Sequence, residues 1–256
     1  MNTGRVSVVI PVFNSEQFLG EAIESVLVQG DEVLEVLVVD DGSTDGSAAV
    51  AERFGDPVRV IRQDNRGPAA ARNRGLATIR ADYIAFLDAD DLYSPDKFAL
   101  QVPRLDRHPE VDIVIGQLSH FHLHDDGADP VFAEQSDNLR SLQVKNWSGW
   151  NGLPNFNTGI FRRRVFEHVG LPDESMLLAE DWDWFLRARE AGAVLLLHRH
   201  VVLNYRQHEG NITRDREAAA RFTLQAIGRS LARRRRSGDA ATPLPSLSAF
   251  FETEEP

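Results

Sequence analysis

Residues 83–95 read YIAFLDADDLYSP. The first five are apolar without a break, the composition of a strand buried on both faces. Three carboxylates follow within four positions: Asp88, Asp90 and Asp91. Like charges this close repel, so a cation, a capped helix or a solvated loop has to relieve them. Asp is common in turns and near helix starts, which gives an isolated Asp-rich turn a plain structural reading. At the end of a buried strand, the same cluster points to a binding rim.

Working outward, residues 5–10 (RVSVVI), 34–39 (LEVLVV) and 58–61 are further short apolar runs and predict strands. Phe18, Leu19, Ala22, Ile23, Val26 and Leu27 recur at helical spacing between the first two. Residues 47–54 predict a short helix, and Pro68 opens another that runs to about Arg80. Ser94 and Pro95 are expected to cap and open the next helix, with Pro103 kinking or ending it. Four such units imply an α/β fold with a doubly wound, mostly parallel sheet and helices on both faces. Ligands of such sheets bind beyond the carboxyl ends of the strands. The ends Pro11-Val12-Phe13-Asn14, Asp40-Asp41-Gly42-Ser43 and Asp88-Ala89-Asp90-Asp91 are therefore expected on one rim.

The second half is less regular and reads as a smaller mixed region. Residues 111–115 predict a strand, 125–136 and 147–157 loops, and 180–191 a helix. Residues 193–197 and 201–203 look like two closing strands. A C-terminal helix is expected over 216–236, ending in Arg233, Arg234, Arg235 and Arg236, where cations suit the helix dipole. One domain over 1–215, divided near residue 110, would precede that helix and a mobile acidic tail over 237–256.

With 256 residues, 42% hydrophobic and 26% charged, the chain has the composition of an ordinary globular protein. It has no cysteine, which excludes disulfides, thiolate metal sites and cysteine nucleophiles. A net charge of −11 argues against general nucleic-acid binding. The N-terminus lacks the features of a signal peptide, and no apolar run is long enough to span a bilayer. A cytoplasmic protein is expected, with contact to a membrane or an acidic partner through the arginine run as an option.

Oxygen-only ligands from one loop suit Mg²⁺ or Mn²⁺, ions that commonly hold a substrate's phosphates. A diphosphate substrate follows. The glycine-rich turn of a dinucleotide dehydrogenase is absent after the first strand, and no Gly-Lys-Ser/Thr loop occurs. His120, His122 and His124 alternate and could present three imidazoles for zinc, although a polar strand face explains them as well. His198 and His200 read the same way.

Five segments, VSVVIPVFN, EVLVVDDGSTDGS, DNRGPAAARNRGL, YIAFLDADD and AEDWDWFLRA, occur in this order over about residues 5–210. In that order they resemble a family 2 glycosyltransferase of GT-A fold. The resemblance implies transfer of a sugar from a nucleotide diphosphate sugar to an acceptor hydroxyl, with inversion, and UDP-sugar as the commonest donor. It implies a base pocket of Pro11, Val12 and Phe13 with Glu16 nearby, and a base contact from Asp41. Asn65 and Arg72 would border ribose and diphosphate. Asp88, Ala89 and Asp90 would form the metal-binding DXD motif, with His208 as a further metal contact. Asp181 would be the general base beside Glu180, and Trp147, Trp150 and Trp182 would face the acceptor. That acceptor could be a glycan, lipid carrier, peptide or small metabolite. A non-catalytic nucleotide-sugar binder or assembly subunit, and a nucleotidyltransferase, are the competing readings. Loss of the acidic motifs would favour the former and a phosphate-binding loop after strand one the latter; neither feature occurs.

Overall fold

A computed structural model describes residues 5–122, 155–211 and 215–238. Eight strands form one sheet in the order β3-β2-β1-β4-β7-β6-β8-β5. The strands are β1 (Val6–Val12), β2 (Val33–Asp40), β3 (Val58–Arg62), β4 (Tyr83–Phe86), β5 (Leu92–Tyr93), β6 (Ile113–His122), β7 (Gly159–Arg162) and β8 (Leu195–Gln207). β1 is buried along its whole length, as an uninterrupted apolar run requires at the centre of a parallel half-sheet. It pairs in parallel with β2 and β4, and β2 pairs in parallel with β3. Antiparallel β7 joins this half to β6, which runs parallel to β8, and short β5 closes the far edge antiparallel to β8.

Each face of the sheet covers its own core. On one face Val6, Val8, Ile10 and Val12 of β1 pack with Leu19, Ile23 and Val26 of α1 (Leu19–Leu27). Phe98, Val102 and Leu105 of α4 (Lys97–Arg107) complete that side. On the other face Val9, Leu37 and Phe86 meet a group of aromatic rings. These include Phe156, Phe161, Phe166 of α5 (Arg163–Val169), and Trp184 and Phe185 of α6 (Glu180–Glu190). Phe166 and Trp184 have ring centroids 4.8 Å apart. The C-terminal helix α7 (Arg216–Ser237) lies against α6.

Most expected elements are present, with α2 (Ser47–Glu52) as the short helix after β2. Four differ. Helix α3 (Pro68–Leu76) ends before Arg80 because the Thr78 hydroxyl takes the Gly75 carbonyl at 3.0 Å. Helix α4 begins at Lys97, after Ser94-Pro95, and continues through Pro103. The two closing strands are one strand, β8, whose register slips opposite Gln117. Strands β5 and β7 and helix α5 were not legible, being short or lying beside an irregular stretch. The expected loops over 125–136 and most of 147–157, and the tail beyond Gly238, lie outside the described residues.

Candidate functional site

Sheet order places the ends of β2, β1 and β4 side by side, which brings Asp41, Phe13 and Asp88 to one rim. Beyond β4, the Asp91 N–H donates to the Asp88 carbonyl at 3.1 Å and folds the acidic loop back on itself. The three carboxylates then diverge. Asp88 accepts from Arg72 Nη2 at 2.6 Å and from Asn157 Nδ2 at 2.8 Å. Asp90 lies 3.0 Å from His208 Nε2. Asp91 is fully buried and accepts from the Arg206 N–H at 3.0 Å and from Asn157 Nδ2 at 3.3 Å. Burial, then the nearby Asp88 charge, raises the Asp90 carboxyl above its usual range. Burial, then Asp90 and Asp88, raises Asp91 well above it.

That residual crowding is the property a cation relieves. Asp88 and Asp90 offer hard oxygen donors, and Asp88 is about one-third exposed, so the donor chemistry fits Mg²⁺ or Mn²⁺. Among the described residues, no group of three or more His, Asp or Glu is arranged to hold a metal by itself. The remaining ligands would come from phosphates and water. Asp91 belongs to the scaffold, tied to β8 and to Asn157.

His208 sits at the end of β8, its ring 4.6 Å from that of Phe18. Its Nδ1 accepts from the Gly210 N–H at 3.1 Å, so a neutral ring carries its proton on Nε2 and donates to Asp90. A metal at Nε2 would require that proton to leave. Two positions earlier on β8, Arg206 faces the same way. Its Nε donates to the Asp90 carbonyl at 2.9 Å and its Nη2 to Glu21, between the rings of Phe18 and Phe121.

Arg72 is buried and joins the acidic loop beyond β4 to the acids at the start of α6. Nη1 donates to Glu180 and Nη2 to Asp88, with the guanidinium 5.6 Å from the Phe156 ring centre. Both terminal nitrogens are thus engaged by carboxylates. The three acids opening α6 divide their roles. Glu180 takes Arg72; Asp183, 2% exposed, takes Arg187 at 2.9 Å and Arg233 at 3.0 Å. Asp181 accepts from the Trp182 N–H at 2.8 Å, and burial together with Glu180 pushes its carboxyl up to about 8. Ala179 sets this arrangement from a left-handed conformation (φ 59°) unusual for a residue with a Cβ.

At the end of β2, Asp41 is buried and accepts from Gln63 Nε2 at 2.7 Å and from the Arg66 and Gly67 N–H groups at 2.9 and 2.7 Å. It therefore anchors the entry to α3 as well as facing the rim. Pro11 and Val12 are buried within β1, while Phe13 is 49% exposed, a ring left open at the mouth. Glu16 accepts from the Gly46 N–H at 2.8 Å and pins the loop after β2. Asn65 is exposed, and its N lies 3.0 Å from where a side chain at Gly42 would begin, a position whose φ of 80° already demands glycine. Ala89 is buried under the acidic loop.

Trp147, Trp150 and His124 lie outside the described residues. Trp182 is partly buried beside Asp181. His120 lies 3.0 Å from Gln207 on the neighbouring strand, and His198 packs 3.2 Å from Gln101 in the interior, held at about 3 by burial. Both are accounted for by strand packing. Of the arginine run, Arg233 is committed to Asp183 and Glu190, so the run as a whole is not an open patch.

Sequence reasoning missed Asn157 and Arg206. Asn157 bridges two acids, and Lys97 holds its carbonyl at 3.2 Å from the interior. The Asn157 Oδ1 and the Arg72 Nε are buried without a protein partner among the described residues. The signal for Arg206 was its two-residue spacing from His208 on a strand.

Similarity to other proteins follows the same outline. The chain is 31% identical to a succinoglycan biosynthesis protein of Rhizobium meliloti over 91% of this chain and 73% of that one. It is 28% identical to an uncharacterized glycosyltransferase of Rickettsia typhi, covering 81% of this chain and 65% of the relative. The chain thus spans just under two thirds of that relative's length. Among solved structures, a Pyrobaculum calidifontis mannosyltransferase in complex with GDP-Man and Mn²⁺ superposes with a TM-score of 0.69 at 21% identity. That match covers 89% of this chain and 64% of the other. S. aureus TarS in complex with UDP-GlcNAc superposes with a TM-score of 0.64 at 18% identity, over 94% and 76%. The fold is that of the GT-A glycosyltransferases. The model of the family described as glycosyl transferase family 2 matches residues 7–170, the segment that builds the rim and carries its acidic loop, and the chain belongs to that family.

Proposed function

We propose that the protein transfers a sugar from a nucleoside diphosphate sugar to an acceptor hydroxyl with inversion at the anomeric carbon. The observation that carries this reading is the Arg72 clamp. One buried guanidinium joins the acidic loop beyond β4 to the Glu180–Asp181 pair, two groups that direct displacement needs on opposite sides of a sugar.

In this reading Phe13 and Asp41 receive the base, and the diphosphate lies toward Asp88 and Asp90. A divalent cation held there would supply positive charge to the departing nucleoside diphosphate. Asp181 takes the proton from the acceptor hydroxyl, whose oxygen attacks the anomeric carbon opposite the leaving group. Its raised pKa places it near the optimum for a general base at neutral pH. Glu180 and Arg72 hold that carboxylate in place. UDP-sugar is the preferred donor class. The nucleotide sugars bound by the two solved neighbours support a nucleotide-sugar donor and leave the base to be measured.

The test is a thermal-shift titration with UDP, GDP and dTDP, each with Mn²⁺, Mg²⁺ or EDTA. One nucleotide should stabilise strongly with metal and weakly with EDTA, by roughly 2.7 kcal/mol at a hundredfold excess over Kd. Asp90→Ala should remove the metal-dependent part. Equal nucleotide binding by Asp90→Ala and wild type in the presence of metal would exclude the assignment.

A further inference from the structure

Helix α7 has two unlike faces. Toward the body, Ala226 and Ser230 are buried, Arg229 pairs with Asp173, and Arg233 with Asp183 and Glu190. Away from it, Leu224, Ile227 and Leu231 are 68%, 43% and 44% exposed. Their spacing of three and four residues puts them on one stripe. At about 100° per residue, Arg235 and Arg221 lie roughly 20° and 60° round the helix from Leu224, whereas Arg236, at about 120°, falls on the side of Arg229. All three arginines are exposed. Glu217, in the first turn, is the one acid among the helix's seven arginines, although the whole chain carries −11.

An exposed apolar stripe this regular marks an interaction surface, and its rim identifies the partner. We propose that the outer face of α7 docks on an anionic phospholipid membrane, with Leu224, Ile227 and Leu231 entering the headgroup boundary and Arg221 and Arg235 meeting lipid phosphates. Long arginine stems can lie along the apolar layer while their heads stay at the phosphates. A second copy fits less well. Two such faces would oppose their arginine rims, and three large apolar side chains fall short of the roughly 20–30 residues a side of a stable interface. The surface lies on the helix braced against α6, the element that carries Glu180 and Asp181. The proposal does not depend on the nucleotide-sugar reading.

The full chain is tested by co-flotation with vesicles of phosphatidylcholine alone or with about 30% phosphatidylglycerol. Binding should require the anionic lipid and weaken with added salt. Arg221→Gln with Arg235→Gln should lower the partition coefficient about 25-fold, taking each arginine as about fivefold. Leu224→Ser with Ile227→Ser and Leu231→Ser should abolish binding. These positions face outward, so the melting temperature and any nucleotide-induced shift should match wild type. That comparison separates lost docking from lost folding. No binding of wild type to anionic vesicles, or unchanged binding by the triple variant, overturns the proposal. A dimer in light scattering that the triple variant dissolves, without vesicle binding, assigns the face to a second copy instead. Retention on immobilised polyglutamate without vesicle binding assigns it to an acidic protein.

Discussion

Asp181 combines two properties that a general base needs: a hydrogen bond that fixes it and a pKa within reach of neutral pH. Asp181→Asn should lower single-turnover transfer by about 10²–10⁴-fold while leaving donor affinity nearly unchanged. In wild type the rate should rise with pH to a plateau above about 8, and the variant should lose that limb. Stability carries the opposite sign. A carboxyl raised in the folded state favours folding at low pH, and that contribution is lost as pH rises from about 4 toward 8. Asp181→Asn should therefore stabilise the ligand-free protein at neutral pH, by about 1–3 kcal/mol; a less stable variant in denaturant melts at pH 7.5 would contradict the burial argument. Asn157 makes a second residue-scale case. Asn157→Ala should cost roughly 1–3 kcal/mol, since Asp88 and Asp91 each lose a donor. Asn157→Asp adds a fourth acid to the cluster and should be worse at pH 8 than at pH 5. The reverse order would mean that crowding is not what the amide relieves.

At the scale of elements, what was legible tracks sequence separation. The rim was readable because Asp41, Asp88 and Asp90 sit directly after apolar strands, and the acidic start of α6 because it precedes an apolar helical run. Their supports were not. Asn157 reaches the acidic loop across 66 to 69 residues, and Arg206 across 115 to 116. No local periodicity announces a partner that far away. Asp183 shows the same limit in reverse, since its sequence matches its neighbours and only Arg187 and Arg233 mark it as a strut. The start of α6 also rests on Ala179. Ala179→Gly should be neutral or slightly stabilising, because glycine adopts that conformation without strain. It should also loosen the Glu180–Asp181 pair and slow transfer more than it changes nucleotide binding. On β8, Arg206→Ala should destabilise by about 1–3 kcal/mol, chiefly because the Asp90 carbonyl loses its buried donor and the space between Phe18 and Phe121 is emptied, while Glu21 is exposed enough to be solvated. Chemical denaturation of both variants measures these effects.

For the molecule as a whole, the parallel half of the sheet followed from four apolar runs, and β6 and β8 were expected near their places, whereas β5, β7 and the mixed order of pairing in that half were not. β5 and β7 have two and four residues, too few to show a period, and the strands of this half pair in mixed directions. The sheet order has a temporal consequence. Strands β1 to β4 and their helices come from the first third of the chain, and their contacts are of low to moderate contact order. The acidic loop belongs to that early part, but its partners on β8 are made more than a hundred residues later. During vectorial synthesis, Asp91 must wait for Asn157 and then Arg206, and Asp90 stays hydrated until Arg206 and His208 have emerged from the ribosome. The rim at the ends of β1, β2 and β4 can therefore take shape while the chain is still growing, but the acidic loop gains its last partners only when β8 has formed beside β5.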